Sequence, residues 1–329
     1  MTKRILLAGV MTLVSSAAFG QTPSGPGAGA PVTEPGHELN VSLQHYDYTE
    51  PGDLNISIHG PKVGAEYTGT FASNSPQHWF AQVNLRATGG RAAYDGWCQP
   101  WQITPSSTSP NGYRLTLGSA SPCSETGDAD WYAEGRVLAG KDFVGQTWGV
   151  SPFAGVGLRY LSNGTTGNPG FRTDNYFYVP LGLTVRAKTS SDRVLGLTLE
   201  YDHLIRGWQH THDSKLGGGV VPATATAPSF TLANFTDFAF DQRSGACTDS
   251  PGTCSAGFAL RASASYQMTR RWSIEPYYMR WRVSSSPVSS GSVDFTVNSV
   301  TVRQQLHAFE PLNMTNELGV KIGVRFGRR

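Results

Sequence analysis

The sequence predicts an all-β protein: a closed, antiparallel, up-and-down transmembrane β-barrel of about ten strands, with long loops at one end and short turns at the other. Three observations predict it. Segments that alternate apolar and polar residues with period two recur along the chain. The connections between them are short and long in turn. The composition suits a large surface out of water: 38 Gly, 8 Trp and 13 Tyr, with only 15% charged residues, where soluble domains carry about a quarter.

The first 20 residues read as a signal peptide. Lys3 and Arg4 precede the apolar run Ile5 to Val14, and Ala18-Phe19-Gly20 is a small-x-small cleavage site. The run is too short to span a bilayer, and no Cys follows it to carry a lipid. The mature chain is expected to leave the cytoplasm of a bacterium. Residues 21–37, rich in Pro, Gly and Ala, read as a flexible lead-in, and residues 38–329 as one barrel domain. Mean hydropathy is −0.28, and no apolar run of helical-span length follows the N-terminus. Formal net charge is +2, which makes no case for nucleic acid.

Ten alternating segments follow in order. The first carries Leu39, Val41 and Leu43. The second carries Val63, Ala65, Tyr67 and Phe71, and the third Trp79, Ala81, Val83 and Leu85. The fourth runs Trp131 to Lys141, with Glu134 and Arg136 on one side. The fifth sets Ala154, Val156, Leu158 and Tyr160 against Gly155, Gly157 and Arg159. The sixth carries Phe177, Val179, Leu181, Leu183 and Val185, and the seventh Leu195, Leu197, Leu199 and Tyr201. The eighth runs Gly257 to Met268 and the aromatic ninth Arg271 to Val283. In the tenth, Leu318, Val320, Ile322, Val324 and Phe326 alternate with Glu317, Gly319, Lys321, Gly323 and Arg325. Short connections (SNSPQ, DFVGQ, KTSSD, Thr269-Arg270) alternate with long ones: TEPGDLN, Ala87 to Asp130, Ser162 to Asp174, His210 to Ala256 and Ser284 to Pro311. That is the pattern of periplasmic turns and extracellular loops. A soluble β-sandwich also has short alternating strands, but no strict alternation of loop length.

In lipid every backbone polar group must be paired, so the sheet has to close. Eight strands leave an interior just filled by side chains, and ten leave little more. The inward set is expected to be Glu66, Arg86, Glu134, Arg136, Arg159, Arg186, Glu200, Asp202, Arg261, Glu275, Glu317, Lys321 and Arg325. With both signs present, a cross-linked ion-pair network is expected in place of a wide channel. Cys98, Cys123, Cys247 and Cys254 form an even set in an exported chain, which favours two disulfides. Proximity favours Cys98 with Cys123 and Cys247 with Cys254. Their spacing does not suit zinc.

The stretches EPG (Glu50 to Gly52), SPFAGVGLRYL (Ser151 to Leu161), NYFYVPLGL (Asn175 to Leu183), LEYDHLIRGWQ (Leu199 to Gln209), IEPYYMRW (Ile274 to Trp281) and EPLNMTNELGVKIGVRF (Glu310 to Phe326) resemble those of a group of largely uncharacterised, porin-like bacterial outer-membrane β-barrel proteins. The resemblance covers most of the chain after residue 38 except the long loops. It implies the barrel and the compartment, and it carries no catalytic residues.

Candidate chemistry is sparse. Asp128 and Asp130, with His210 and His212, lie at barrel mouths and resemble in outline the Asp and His pairs of omptin proteases, although their order and spacing differ. Solvated loop residues would look the same. His210 and His212, two apart, would also bind a metal weakly. No phosphate loop, G-x-S-x-G or H-E-x-x-H is present, and Gly217-Gly218-Gly219 lacks the strand–helix context of a nucleotide cradle. Arg280 and Arg282 beside Tyr278 and Trp281 suit lipopolysaccharide phosphates or loop salt bridges. The expected protein is therefore a monomeric, non-enzymatic barrel of the outer membrane. It needs no cofactor and displays disulfide-pinned loops for surface interaction, ligand capture or envelope integrity. Its partners are lipid, lipopolysaccharide and the barrel assembly machinery, with any solute or extracellular ligand unspecified. The alternatives are a narrow pore for small solutes or ions, and an omptin-like hydrolase.

Overall fold

The computed structural model describes residues 31–52, 55–73, 77–164, 171–190, 193–215, 219–248, 252 and 254–326. The signal peptide, most of the lead-in, Gly217-Gly218 and the tail Gly327-Arg328-Arg329 lie outside them.

Ten strands form the wall: β1 (Gly36–Glu50), β2 (Ile56–Ala72), β3 (Trp79–Cys98), β4 (Ser121–Lys141), β5 (Trp148–Asn163), β6 (Arg172–Ser190), β7 (Arg193–Thr211), β8 (Gly257–Gln267), β9 (Trp272–Val283) and β10 (Asn313–Phe326). Each pairs antiparallel with the next, and β10 pairs with β1 from His37↔Phe326 to Thr49↔Met314. The sheet is closed, and β1 begins where β10 ends, at the end that carries the short turns.

Alternation sorts the side chains. Val41 and Leu199 are each 67% exposed on the outside, in a belt with Val63, Leu158, Leu181, Leu197, Leu318 and Ile322. Glu317, between outward Asn316 and Leu318, is 0% exposed. An apolar outer belt over a polar interior is what a bilayer requires of a barrel. Trp79, Trp148, Trp272 and Phe326 lie outward toward the turn end, as an interfacial aromatic girdle would. Inside, Gly157 makes room for the Tyr178 ring of the neighbouring strand. A Cβ there would overlap the Tyr178 ring.

Three expectations change. First, β3 and β4 run on far past the expected end at Ala87, pairing up to Cys98↔Ser121. The connection is 99–120, not Ala87 to Asp130, so Asp128 and Asp130 sit on a strand. The Cys98–Cys123 disulfide clamps the tip of this long hairpin, and Cys247–Cys254 closes a small turn in the loop after β7. Second, the long loops carry strands of their own. Gly219–Val221, Phe230–Ala233, Ser289–Val297 and Val300–Ala308 form a four-stranded sheet, and Trp101–Pro105 pairs with Tyr113–Leu117. Third, Pro31–Pro35 is not a free lead-in but packs across the barrel mouth.

Candidate functional site

The lumen is filled in layers. At its centre Glu317 on β10 accepts from Arg159 Nη2 (2.8 Å), Tyr132 Oη (2.7 Å) and Gln44 Nε2 (3.3 Å), with Arg86 Nη2 at 3.4 Å. These donors come from β5, β4, β1 and β3, so one carboxylate ties together five strands. The Arg159–Glu317 pair has no solvent access on either side chain. The Arg159 guanidinium lies 3.9 Å from the centre of the Tyr132 ring. Arg86 also donates to Tyr277 Oη (2.5 Å) and Gln44 Oε1 (2.9 Å), and Tyr277 donates to Gln44.

A second knot lies on the opposite wall. Arg261 grips Glu134 through both terminal nitrogens (3.0 and 2.6 Å) and turns its Nε to Asp202 (2.6 Å) and Glu200 (3.2 Å). Arg136 completes it on Glu200 at 2.6 Å. Each buried charge meets an opposite one with hydrogen-bonding geometry, which is the condition for tolerating it. Toward the loops, Lys62 binds Asp130 at 2.6 Å and lies 3.1 Å over the Tyr46 ring. At the rim Arg172 is shared by Glu50 (3.2 Å) and Glu310 (3.1 Å), and Tyr48 donates to both carboxylates. Burial pushes the Glu310 carboxyl, which lies in the loop before β10, up to about 8.

Toward the turns the lumen widens into a polar vestibule of about 290 Å³. Lys321 crosses it between Glu66 (2.9 Å) and Glu275 (3.2 Å). The N-terminal strap closes over it. Thr33 donates to Asp142 through both its backbone nitrogen and its hydroxyl, at 2.8 Å each. Asp142 also accepts from Ser151, which in turn accepts from Arg186. Glu34 holds Arg325 at 3.0 Å. The Pro31 carbonyl lies where a Cβ on Gly149 would be, at 2.5 Å. The strap thus runs from the β1–β10 seam to β5, nearly opposite in the ring of ten.

The sequence-predicted residues divide accordingly. Glu66, Arg86, Glu134, Arg136, Arg159, Glu200, Asp202, Arg261, Glu275, Glu317 and Lys321 converge in the lumen, while Arg186 and Arg325 bind at the turn-end mouth. The structure gives the four mouth candidates different settings. Asp130 is committed to Lys62 and to Asn163 (3.0 Å), and Asp128 lies on the far-extended β4. His210 is exposed on the wall, whereas His212 lies beyond the end of β7, against Thr173 (3.2 Å) and Phe171. The strand ends between the two histidines. No cluster of three His, Cys, Asp or Glu suited to a metal occurs among the described residues. Trp281, expected beside the outer girdle, points inward, 1% exposed against Tyr176 and Tyr178.

Sequence reasoning missed Lys62, Asp142, Arg172, Glu34, Glu50 and Glu310. A signal for three of these was present. The chain has four Glu–Pro steps, at Glu34, Glu50, Glu275 and Glu310. Every one of these glutamates binds a cation of the barrel. Proline restricts the preceding residue to extended conformations, which narrows the backbone geometry from which each carboxylate projects.

Above the lumen the loops build a second core. Ile103 and Leu115 of the first hairpin pack with Phe230, Leu232, Val293, Phe295 and Val297 of the loop sheet. The Gln304 side chain accepts from the Leu115 nitrogen (2.9 Å) and donates to its oxygen (2.8 Å), extending the hairpin edge. Loops after β3, β7 and β9 thus fold into one platform.

No protein-family model matches the chain, and no curated protein matches it. Solved structures similar to it include the outer membrane protease OmpT from Escherichia coli (11% identity, TM-score 0.43, 88% of this chain and 97% of that one). Others are an outer membrane channel from Pseudomonas putida F1 (8%, 0.37, 93% and 100%) and the translocator domain of the autotransporter NalP from Neisseria meningitidis (11%, 0.31, 89% and 90%). A protease, a channel and a translocator are matched at similar levels, so these likenesses choose no function. The closed strand register establishes the barrel independently of them.

Proposed function

We propose that this protein is a non-enzymatic barrel of the bacterial outer membrane that anchors a folded, disulfide-pinned platform at the cell surface for interaction with an extracellular partner. The observation that carries this reading is the Glu317 knot, in which donors from four other strands meet a fully buried carboxylate. A wide pore would need that knot to be absent, since a permeating ion must displace pairs whose partners would be left charged and dry. The platform supports the rest of the reading. Its loops have their own hydrophobic core, separate from the lumen. Purified protein reconstituted in planar lipid bilayers is expected to give no steady single-channel steps. Stable, ion-selective steps would overturn the closed-lumen reading in favour of a pore.

A further inference from the structure

On β9 the outward residues run Trp272, Ile274, Pro276, Tyr278, Arg280 and Arg282, from the turn end to the loop end. The apolar part stops at Tyr278, whose hydroxyl donates to Asn316 at 2.9 Å. Outward tyrosine marks the membrane–water boundary of a barrel. Arg280 and Arg282 are the next two outward positions beyond it, both exposed and about 7 Å apart along the strand.

Their neighbours supply no counter-charge. Leu260 and Asn316 flank Arg280, and Phe258 and Met314 flank Arg282. The Arg280 guanidinium contacts Met314 Sδ at 3.2 Å, and neither arginine forms an ion pair among the described residues. Arg114, Arg193 and Arg271 are also exposed without an ion pair among the described residues, but two other exposed arginines are neutralised. Arg206, outward on β7, is held bidentately by Asp241 (2.8 and 2.9 Å), and Arg303 in the platform by Asp294 (2.7 and 3.0 Å). Two un-neutralised guanidinium forks stand just beyond an apolar belt, at the depth of lipid headgroups. Their complement is a phosphate carried by a lipid, since a guanidinium fork matches phosphate oxygens and the belt below takes acyl chains.

We propose that Arg280 and Arg282 clamp the phosphate of an anionic glycolipid in the outer leaflet, with Tyr278 beneath it and Leu260 beside Arg280 against the first acyl carbons. The inference rests on the membrane placement of the barrel and holds whether or not the lumen conducts. Protein folded in neutral detergent would be titrated with diphosphorylated lipid A, with lipid A stripped of phosphate, and with inorganic phosphate, and bound lipid counted by native mass spectrometry. Wild type should retain diphosphorylated lipid A, bind the stripped form at least roughly ten-fold more weakly, and ignore inorganic phosphate. Arg280→Gln/Arg282→Gln should lose the preference, and Arg206→Gln should keep it. Heat-modifiable gel mobility reports folding. Should the Gln pair not fold, Arg280→Lys/Arg282→Lys, which keeps charge but not the fork, should show a weakened preference. Equal retention of the two lipids by wild type, or an undiminished preference in the folded Gln or Lys variant, would overturn the clamp. Failure of the wild type to insert into vesicles would instead remove the membrane placement itself.

Discussion

The barrel and the platform are two cores with opposite insides. In the barrel the buried set includes Lys62, Arg86, Glu134, Arg159, Asp202 and Glu317, joined by Leu161, Tyr178, Leu204 and Trp281, while most of its Leu and Val face outward. In the platform Val293, Phe295 and Val297 are buried, while the Asp294–Arg303 pair stands at the surface. Both are built from strands with the same period-two alternation. What differs is the surrounding solvent. Lipid takes the apolar face of β10 outward, and water drives the apolar face of Ser289–Val297 inward. The two interiors therefore fail differently. A polar core is lost when one partner of a charge is removed, and an apolar core when volume is removed.

The sharpest way to break this contrast is at Glu317. Glu317→Ala leaves Arg159 and Arg86 buried without their shared carboxylate. Orphaning a buried charge costs about 3–5 kcal/mol, and with two cations affected the upper end applies. Urea unfolding followed by heat-modifiable gel migration should show a lower midpoint for the whole barrel. An unchanged midpoint would mean that water or a conformational change already compensates those arginines.

Phe295→Ala removes the matching group from the other core. Phe295 is 1% exposed among Ile103, Leu115 and Phe230, and truncation of a buried Phe costs about 3 kcal/mol or more. The loss should be confined to the platform. Limited proteolysis should cut the variant within 99–120 and 289–308 while the barrel keeps its folded migration. If the barrel's own midpoint falls with it, the two cores are one cooperative unit and the contrast fails.

The barrel was more legible than the platform for the same physical reason. Ten strands could be located because alternation persists over long segments between connections of alternating length. Ion pairs such as Arg136–Glu200 and Lys321–Glu66 follow once the inward face is known. The short strands did not reach that threshold. Ser292, Asp294 and Thr296 alternate with Val293, Phe295 and Val297, but a segment of that length inside a long loop looks like loop. Its partner Phe230–Ala233 lies more than fifty residues away. The strap was illegible for a different reason. Thr33 and Asp142 are joined by tertiary contact alone, and nothing in a Pro/Gly-rich segment announces where it lands. The four mouth candidates were read from proximity to strand ends, and a misplaced end of β4 was enough to misplace Asp128 and Asp130.

The smallest expected effect lies at the seam between the cores, where the loop carrying Ser289–Val297 returns to β10. Glu310 is 1% exposed there. Its backbone nitrogen is bound by Ser286 Oγ (2.8 Å), and its carboxylate shares Arg172 and Tyr48 with Glu50. Asp174 and Gln209 face it from β6 and β7. Burial raises the carboxyl from its ordinary 4.5 to about 8, against the pull of Arg172 and with Glu50 and Asp174 adding to the rise. An acid whose folded pKa lies above its free value holds a proton in the closed seam that it releases when the seam opens. Closure is therefore fully favoured below about 4.5 and weakens as pH rises through about 8. Amide hydrogen exchange at Ser286 and Glu310, corrected for intrinsic rates, should show less protection at pH 9 than at pH 6, with the lumen amides unchanged. Glu310→Gln keeps the shape without the charge and should remove the dependence. Equal protection at both pH values in the wild type would mean that Arg172 holds Glu310 ionised throughout, making the seam a permanent part of the barrel's polar core and not a joint between two.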